Sequence, residues 1–511
     1  MLSLGAATPM RPDRRGRVND SPCPHMCRQE SKNPSKAEIG GKSRFRSEQR
    51  IDMPKILLRT LGCRLNQAES FEIEEGLLAS GFELAEPNDT PDVVIVNTCT
   101  VTSDSTRSSR RLISRSAREY PNARLIVTGC YAVAAPEEVR AVDGVDDVIP
   151  NKGKDSIVGF LQNQYFPRTL QLSSCMPQVP PRVILKVQSG CDEMCTFCIV
   201  PYTRGDLDSR DIEHVVSAGV SLAERGAVEL TLSGVHLGRY GIDSGTGVGL
   251  YELVCRLLES LPSSLRIRLS SIELTSIDER LVELIACEPR LCRHLHIPLQ
   301  SGDDGVLDAM GRPYDSKRYL EVVSAIKEKI PGVALTTDVM VGFPGETLVA
   351  FGNTLDIVER VAFAKVHVFR YSPREGTPAA SREDQVPEDE KRARSKTLRE
   401  LGDKLRLEFH QLQAKAGLIE GVLIEGHGPA ESGCISDSSG AATQRVAPSL
   451  FGITDNYVKI ETSGPVGTVG KYVKVKPVDV SVERVSAELL LDQGVDPLPK
   501  RPYQSGTVLR R

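Results

Sequence analysis

The stretch Val183-Ile184-Leu185-Lys186-Val187-Gln188-Ser189-Gly190-Cys191-Asp192-Glu193-Met194-Cys195-Thr196-Phe197-Cys198 decides how this chain is read. It opens as an apolar, strand-like run and ends as a loop. The loop places three thiols within eight residues, separated by three and then two residues. A loop of that length can wrap one face of a cubane and offer each sulfur to a different iron. Thiolates are the usual ligands of iron–sulfur clusters, normally four to a 4Fe–4S cluster. With three, one iron is left to bind a small molecule. A structural zinc loop and a set of free core thiols are the other readings. Zinc loops pair a first C-x₂₋₄-C unit with a second ligand pair, and no fourth Cys or His lies close by in the sequence. Buried free cysteines are common, but rarely three in eight residues.

Downstream of the loop, strand-like and helical patterns alternate from Arg182 to Ser372. Strands are expected at Val183–Val187, Val228–Leu232, Leu265–Leu269, His294–Pro298, Val333–Val339 and Lys365–Phe369, with helices such as Ile212–Arg225 and Lys317–Lys329 between them. Six β/α units over this length predict an incomplete parallel barrel, since a full eight-unit barrel takes about 250 residues. Barrel chemistry belongs at the carboxyl ends of strands, and the thiol loop follows the first one. Ser233–Gly238, Leu299–Gly302 and Val341–Glu346 follow later strands. Together they fit a bound nucleoside, with Gly234, Gln300, Gly342 and Glu346 as candidate cofactor-binding residues. His236 and His296 could be ligands, although a lone His beside a strand is more often simply packed. Cys255, Cys287 and Cys292 read as ordinary.

Upstream, from Pro54, the same alternation predicts a separate α/β domain. Strands at Lys55–Arg59, Asp92–Asn97 and Arg124–Thr128 alternate with helices at Gln67–Ser80 and Ser103–Arg118, and a further helix starts at Pro136. This rhythm implies a parallel sheet with right-handed crossovers, whose ligands sit outside the carboxyl ends of the strands. Cys63, Cys99 and Cys130 each follow one of those strands. The alternative is three unrelated buried cysteines, but equivalent positions on neighbouring strands favour a second three-thiolate cluster. Arg107, Arg111, Arg115 and Arg118, with Arg110 beside them, form a basic stripe along the helix after Cys99. It reads either as a solvated face or as a phosphate-contacting one.

The chain of 511 residues has room for two to four domains, and 26% of its residues are charged, an ordinary globular share. No run approaches the length of an apolar membrane span. Thirteen cysteines with no secretory signal point to a reducing compartment and to metal or redox use, hence a cytoplasmic location. The net charge of −4 does not advertise nucleic acid, so RNA contact must come from local patches. Met1–Asp52 reads as a disordered extension, with a mitochondrial-type presequence or a true start at Met53 as alternatives, and with Cys23 and Cys27 incidental. Lys152–Pro180 reads as a short helix and a linker that holds an unpartnered Cys175. Lys391–Arg406 reads as a basic helical connector. Beyond it, Gly421–Glu425, Thr443–Val446, Asn456–Glu461 and Tyr472–Lys476 predict a small β-barrel. The stretch after Pro477 reads as a tail.

The order of these parts resembles the methylthiotransferase family of radical S-adenosylmethionine (SAM) enzymes, over roughly Pro54 to Pro477. The motifs Thr60-Leu61-Gly62-Cys63-Arg64-Leu65-Asn66, Asn97-Thr98-Cys99-Thr100-Val101-Thr102, Gly129-Cys130-Tyr131-Ala132 and Phe369-Arg370-Tyr371-Ser372-Pro373-Arg374-Glu375-Gly376-Thr377 look most like the branch acting on threonylcarbamoyladenosine in tRNA. Gly452-Ile453-Thr454-Asp455-Asn456-Tyr457 resembles part of a TRAM domain, an RNA-binding module. Between the extension at 1–52 and the tail at 478–511, the resemblance implies an N-terminal three-layer α/β domain at 53–168, a partial (β/α)6 radical SAM barrel at 181–404 and a TRAM β-barrel at 405–477.

It also implies two 4Fe–4S clusters. One, on Cys191, Cys195 and Cys198, reduces SAM to a 5′-deoxyadenosyl radical that takes the hydrogen from carbon 2 of the adenine. The other, on Cys63, Cys99 and Cys130, holds the sulfur to be inserted, and a second SAM gives the methyl group. An aromatic C–H is beyond ordinary acid–base side chains, so cofactors carry the chemistry, and no catalytic residue is assigned beyond the cluster ligands. The implied partners are tRNA, an electron donor and a sulfur source, with no membrane. One departure stands out. Gly205-Asp206-Leu207-Asp208-Ser209-Arg210 carries two acids where the family usually has a basic run, which puts a local RNA contact there in doubt. The rivals are methylthiotransferases acting on isopentenyladenosine in tRNA or on a ribosomal-protein aspartate, and a non-catalytic metal-containing RNA-binding protein.

Overall fold

A computed structural model of the chain describes residues 53–86, 89–166, 176–428 and 447–490. The extension expected at Met1–Asp52, with Cys23 and Cys27, lies outside the described residues, as do Cys175, the strand expected at Thr443–Val446 and the chain beyond Leu490.

The N-terminal elements are β1 (Lys55–Thr60), α1 (Arg64–Ala79), β2 (Glu83–Leu84), β3 (Val93–Thr98), α2 (Ser103–Glu119), β4 (Arg124–Gly129), α3 (Cys130–Ala134), α4 (Pro136–Arg140), β5 (Asp147–Ile149) and α5 (Ile157–Tyr165). The strands form a parallel sheet in the order β2-β1-β3-β4-β5. All of β3 is buried, as a strand covered on both faces must be. Val93 and Ile95 pack with Ile73, Leu77 and Leu161 on one face, while Val94 and Val96 pack with Ile113 and Val139 on the other. The expected three layers follow from that alternation of buried faces. At the start of α2 the Thr102 hydroxyl accepts from the Ser105 amide, which satisfies one free N–H of the first turn.

The middle of the chain continues with β6 (Arg182–Lys186), β7 (Gln188–Ser189), α6 (Val200–Arg204), β8 (Asp208–Ser209), α7 (Ile212–Glu224), β9 (Glu229–Ser233), α8 (Leu250–Ser260) and β10 (Arg266–Leu269). Then come α9 (Glu279–Cys287), β11 (His294–His296), α10 (Asp304–Ala309), α11 (Ser316–Lys329), β12 (Ala334–Val341), α12 (Leu348–Val361) and β13 (Lys365–Arg370). Two parallel sheets, β10-β9-β6 and β11-β12-β13, are linked by bridges at Ile267–Leu291 and Ser271–His296. Six strands therefore form an open arc, matching the expected partial barrel. Leu230, Leu232, Ile267, Leu269, Leu295 and Val339 join the core under the helices. By the two-residue strand period, Glu229, Arg266, Arg268, His294, His296, Thr336 and Asp338 face the inside of the arc.

The long helix α13 (Glu388–Ala414) leads to β14 (Ile419–His427), β15 (Ser449–Ile453), β16 (Lys459–Ser463), β17 (Tyr472–Val480) and β18 (Val485–Leu490), which close a barrel in the order β14-β15-β16-β18-β17. Two expected boundaries need correction. The junction at 404–405 falls inside α13, one continuous helix. The barrel does not stop at Pro477, because β17 runs through it and β18 lies in what reads as tail. Pro477 is tolerated because the β17–β18 register shifts between it and Asp479, and a bulge spares the ladder the missing N–H. Among the described residues no helix is long and apolar enough to cross a membrane.

Candidate active site

The Cys191–Cys198 loop sits between β7 and α6. Its neck is closed by the antiparallel β7–β8 ribbon and by the Cys191 amide, which donates to the Gly205 carbonyl at 3.0 Å. Gly190 is needed there: its φ is +71°, and a Cβ would lie 1.6 Å from the Asp206 carbonyl oxygen. The loop is pinned at Thr196, whose amide and hydroxyl donate to the carbonyls of Met310 and Ala309. Burial pushes the thiols of Cys191 and Cys198 up to about 12. Cys195 is also raised by burial, against the pull of Arg312, whose Nη1 lies 3.3 Å from its sulfur. Arg312 pairs in turn with Glu273 and, at 3.5 Å, with Glu193. Glu193 is 3.0 Å from His236 Nε2, so this histidine braces the loop.

Cys99 follows β3 directly, Cys130 opens α3 after β4, and Cys63 sits between β1 and α1. A Cβ on Gly62 would come within 3.0 Å of the Cys99 sulfur, which shows how closely the Cys63 turn approaches Cys99. Burial raises the Cys99 thiol, and Cys130 and Cys63 push it the same way. The three strand ends thus converge as the parallel topology predicts. Beside them lies Glu69 of α1, 4% exposed. Its carboxylate meets Lys154 at 2.5 Å, Lys186 at 3.1 Å and Arg204 at 2.8 Å. Burial works to raise Glu69, but Lys154 and Arg204 hold it well below the usual carboxylate range.

Three cations against one carboxylate leave an excess of two positive charges (3 − 1 = 2) next to Cys130 and Cys63. A cluster held by three thiolates is an anionic, sulfur-bound group. The free thiols and this buried positive excess fit it. Among the described residues no three Cys, His, Asp or Glu side chains are grouped closely enough to hold a single metal ion. A cubane asks for a wider triangle than zinc does, because each sulfur goes to its own iron.

A cavity of about 630 Å³ joins these parts. Cys63, Cys99 and Cys130 line it from the N-terminal domain, Gly234, Glu273, Gln300, His296 and Asp338 from the partial barrel, and Tyr457 from the C-terminal barrel. The Cys191–Cys198 loop abuts it through Val200, whose amide donates to the Cys198 sulfur at 3.4 Å. Gln300 (φ +62°) and Tyr457 (φ +67°) are two of three described non-glycine residues in the left-handed region, and both line this cavity. Such strain costs about 1–3 kcal/mol per residue and clusters at functional sites.

Of the four candidate cofactor-binding residues, Gly234 and Gln300 line the cavity, while Gly342 and Glu346 do not. Glu346 Oε2 accepts from the Gly342 amide at 2.7 Å and from Arg394 Nη1 at 2.6 Å. A Cβ on Gly342 would lie 2.3 Å from Lys391 Cγ. These two residues clasp the loop after β12 to α13. His296 lines the cavity and bonds Thr336 and Asp338. Arg204 and Arg210, on either side of the two acids Asp206 and Asp208, pair with Glu69 and Glu72 of the N-terminal domain. The local basic residues are thus spent between domains. In the arginine stripe, Arg107, Arg110 and Arg115 pair with Asp104, Glu138 and Glu119, and Arg111 and Arg118 have no ion pair among the described residues.

Two family models match the chain: the Uncharacterized protein family UPF0004 over residues 55–150 and the Radical SAM superfamily over residues 185–358. The threonylcarbamoyladenosine tRNA methylthiotransferase MtaB of Bacillus subtilis (strain 168) is 35% identical over 440 residues, covering 83% of this chain and 94% of that protein. The MtaB of Aquifex aeolicus (strain VF5) is 34% identical, covering 82% and 99%. The tRNA-2-methylthio-N(6)-dimethylallyladenosine synthase of Akkermansia muciniphila is 30% identical, covering 73% and 88%. The chain belongs to the radical SAM methylthiotransferase family. In this methylthiotransferase, sequence reasoning missed Arg64, Glu69 and Tyr457. Arg64 Nη2 donates to the Tyr457 hydroxyl at 2.6 Å across 393 positions of sequence, a pairing that no local pattern announces. Glu69 leaves a trace, since a polar residue on the barrel-facing side of an amphipathic helix is a mismatch that asks for a partner.

Proposed function

We propose that the chain converts N6-threonylcarbamoyladenosine next to the anticodon of tRNA to its 2-methylthio derivative. The observation that carries this reading is one cavity lined by Cys63, Cys99 and Cys130 and by polar residues of the barrel, which the Cys191–Cys198 loop abuts through Val200. The printed names of the MtaB relatives, with near-complete coverage of those proteins, support the substrate. The 30% match to a dimethylallyladenosine synthase keeps isopentenyladenosine as the second reading.

When bound, two 4Fe–4S clusters and SAM would supply reductive radical formation at carbon 2, a sulfur atom and a methyl group. Cys191, Cys195 and Cys198 would hold one cluster and Cys63, Cys99 and Cys130 the other. The chain's own residues hold these groups in place. Arg312 contacts the Cys195 sulfur and pairs with Glu193, which His236 braces in turn. Lys154 and Arg204 offset the charge of the second trio. Gly234, where a Cβ would lie 2.7 Å from Gln188 Oε1, and Gln300, on its left-handed turn, line the barrel mouth where a nucleoside would sit.

Nucleoside mass spectrometry of tRNA from a deletion strain tests the reading. Loss of 2-methylthio-N6-threonylcarbamoyladenosine is expected, and an unchanged level overturns it. Anaerobic reconstitution should give about eight irons per chain. Cys198→Ala should abolish SAM cleavage, while Cys99→Ala should keep some cleavage and lose methylthiolation.

A further inference from the structure

We propose that Arg64 reads the carboxylate of an anionic N6 substituent on the substrate base, and that Tyr457 of the C-terminal barrel is the positioning residue that sets its guanidinium. This rests on the threonylcarbamoyladenosine reading and names the group that would select it.

Four charged side chains, histidines aside, line the cavity: Arg64, Arg204, Glu273 and Asp338. Three are engaged within the protein. Arg204 is paired with Glu69, Glu273 with Arg312, and Asp338 with His296 at 3.4 Å. Arg64 has no carboxylate partner among the described residues. Its one polar contact there is the Tyr457 hydroxyl, which accepts from Nη2 at 2.6 Å. A guanidinium carries five N–H donors in a fixed fork, so Arg64 keeps donors to spare in the cavity.

Tyr457 is held firmly enough to set that fork. It sits on a left-handed turn at φ +67°. Its ring stacks on His294 at 4.4 Å with an interplanar angle of 17°, and the guanidinium of Arg268 lies 5.2 Å from the ring centroid. Arg64 follows Cys63 in the chain, so its fork lies beside the Cys63, Cys99 and Cys130 trio. A threonylcarbamoyl group ends in a carboxylate, which a guanidinium can bind through two parallel hydrogen bonds. An isopentenyl group offers no acceptor and would leave the cation desolvated and unpaired. The same side chain therefore attracts one substituent and rejects the other.

The test is anaerobic binding of the reconstituted full chain to three anticodon stem-loop RNAs. They differ only in the target base: N6-threonylcarbamoyladenosine, its methyl ester, and N6-isopentenyladenosine. The native chain should bind the free acid about 10- to 100-fold more tightly than the ester, the range of a hydrogen bond to a charged group. Arg64→Gln should erase that preference, leave the ester RNA within roughly twofold of its native affinity and tighten the isopentenyl RNA, because the unpaired cation is gone. Arg64→Lys should keep part of the preference. Tyr457→Phe keeps the ring and removes the acceptor. It should weaken only the free acid and add nothing in the Arg64→Gln background.

If Arg64→Gln weakens all three RNAs alike, Arg64 is a general contact and the assignment falls. If the native chain prefers the threonylcarbamoyl RNA and Arg64→Gln keeps that preference, the assignment falls while the substrate reading stands. If the native chain binds the isopentenyl RNA as well as the threonylcarbamoyl RNA, the substrate reading itself falls.

Discussion

Glu69 and Glu229 are both buried carboxylates at junctions of the partial barrel, and they are built differently. Glu69 takes Lys154 from its own domain and Lys186 and Arg204 from the barrel. All its partners are side chains, and the positive excess faces the Cys63, Cys99 and Cys130 trio. Glu229 takes Arg266 and Arg268 from the adjacent strand β10. The remaining donors of those arginines reach backbone carbonyls of the C-terminal barrel, at Gly421 and Ile453 for Arg266 and at Thr454 and Asp455 for Arg268. The first junction matches charge to charge beside the Cys63, Cys99 and Cys130 trio. The second matches a guanidinium fork to the shape of a turn, and it seats Tyr457 in the cavity. Carbonyls persist whatever side chains surround them, so the second junction fixes position and the first can answer to occupancy.

The strongest way to break this contrast is Glu229→Ala. It leaves Arg266 and Arg268, 1% and 0% exposed, without a counter-charge. Removing one partner of a buried ion pair costs about 3–5 kcal/mol, so urea unfolding should show a loss in that range. The loss should be the same with and without iron, because the Glu229 ion pairs touch no thiol of either trio. A loss that shrinks on reconstitution would mean that the two junctions are not distinct.

Glu69→Gln is the matching change on the other side. In the metal-free chain it strands Lys154, Lys186 and Arg204, and about 2–3 kcal/mol should be lost, somewhat less than full truncation because Gln keeps an acceptor. With iron bound, the anionic group takes over part of that role and the deficit should be smaller. The pH dependence has a definite sign. The folded carboxyl of Glu69 is held well below its ordinary value of 4.5. Its contribution is therefore complete above the unfolded value and is lost only as pH falls through the lower, folded one. The deficit of Glu69→Gln against the native chain should stay constant from about pH 8 to pH 5 and shrink only below about pH 4.5.

What sequence reveals here follows from range. The buried run Val93–Val96 announces a strand because parallel strands covered on both faces must be apolar. Cys63, Cys99 and Cys130 could be grouped from sequence because parallel topology turns 30-odd-residue spacing into adjacency at strand ends, and Cys191, Cys195 and Cys198 because they fall within eight residues. Glu229 and Arg266 could not, because polar residues inside a strand look like a solvent face until the arc turns them inward. Pro477 misled for a local reason, as a bulge carried β17 past a residue that normally ends a strand. Gly342 and Glu346 sit at the right strand end, yet the packing of α13 turned both away from the cavity. Arg64 and Tyr457 meet only when three domains are assembled.

The smallest effects belong at the rims. Along α1, Glu69, Glu72 and Glu75 recur every three residues and each faces the barrel, the last two pairing with Arg210 and Arg225. Arg293 pairs with Asp455 at the edge of the second junction. The side chains of Arg210 and Glu72 are 22% and 32% exposed, so water and salt screen them. Half-exposed pairs contribute about 0–1 kcal/mol, and Glu72→Gln should fall in that range and approach zero in molar salt. Glu69→Gln in the same salt should keep most of its effect, because a carboxylate 4% exposed is reached poorly by ions. If the two deficits instead fell together with salt, the charges of the first junction would act as one solvated stripe. Its buried centre would then have no special tie to the thiols it adjoins.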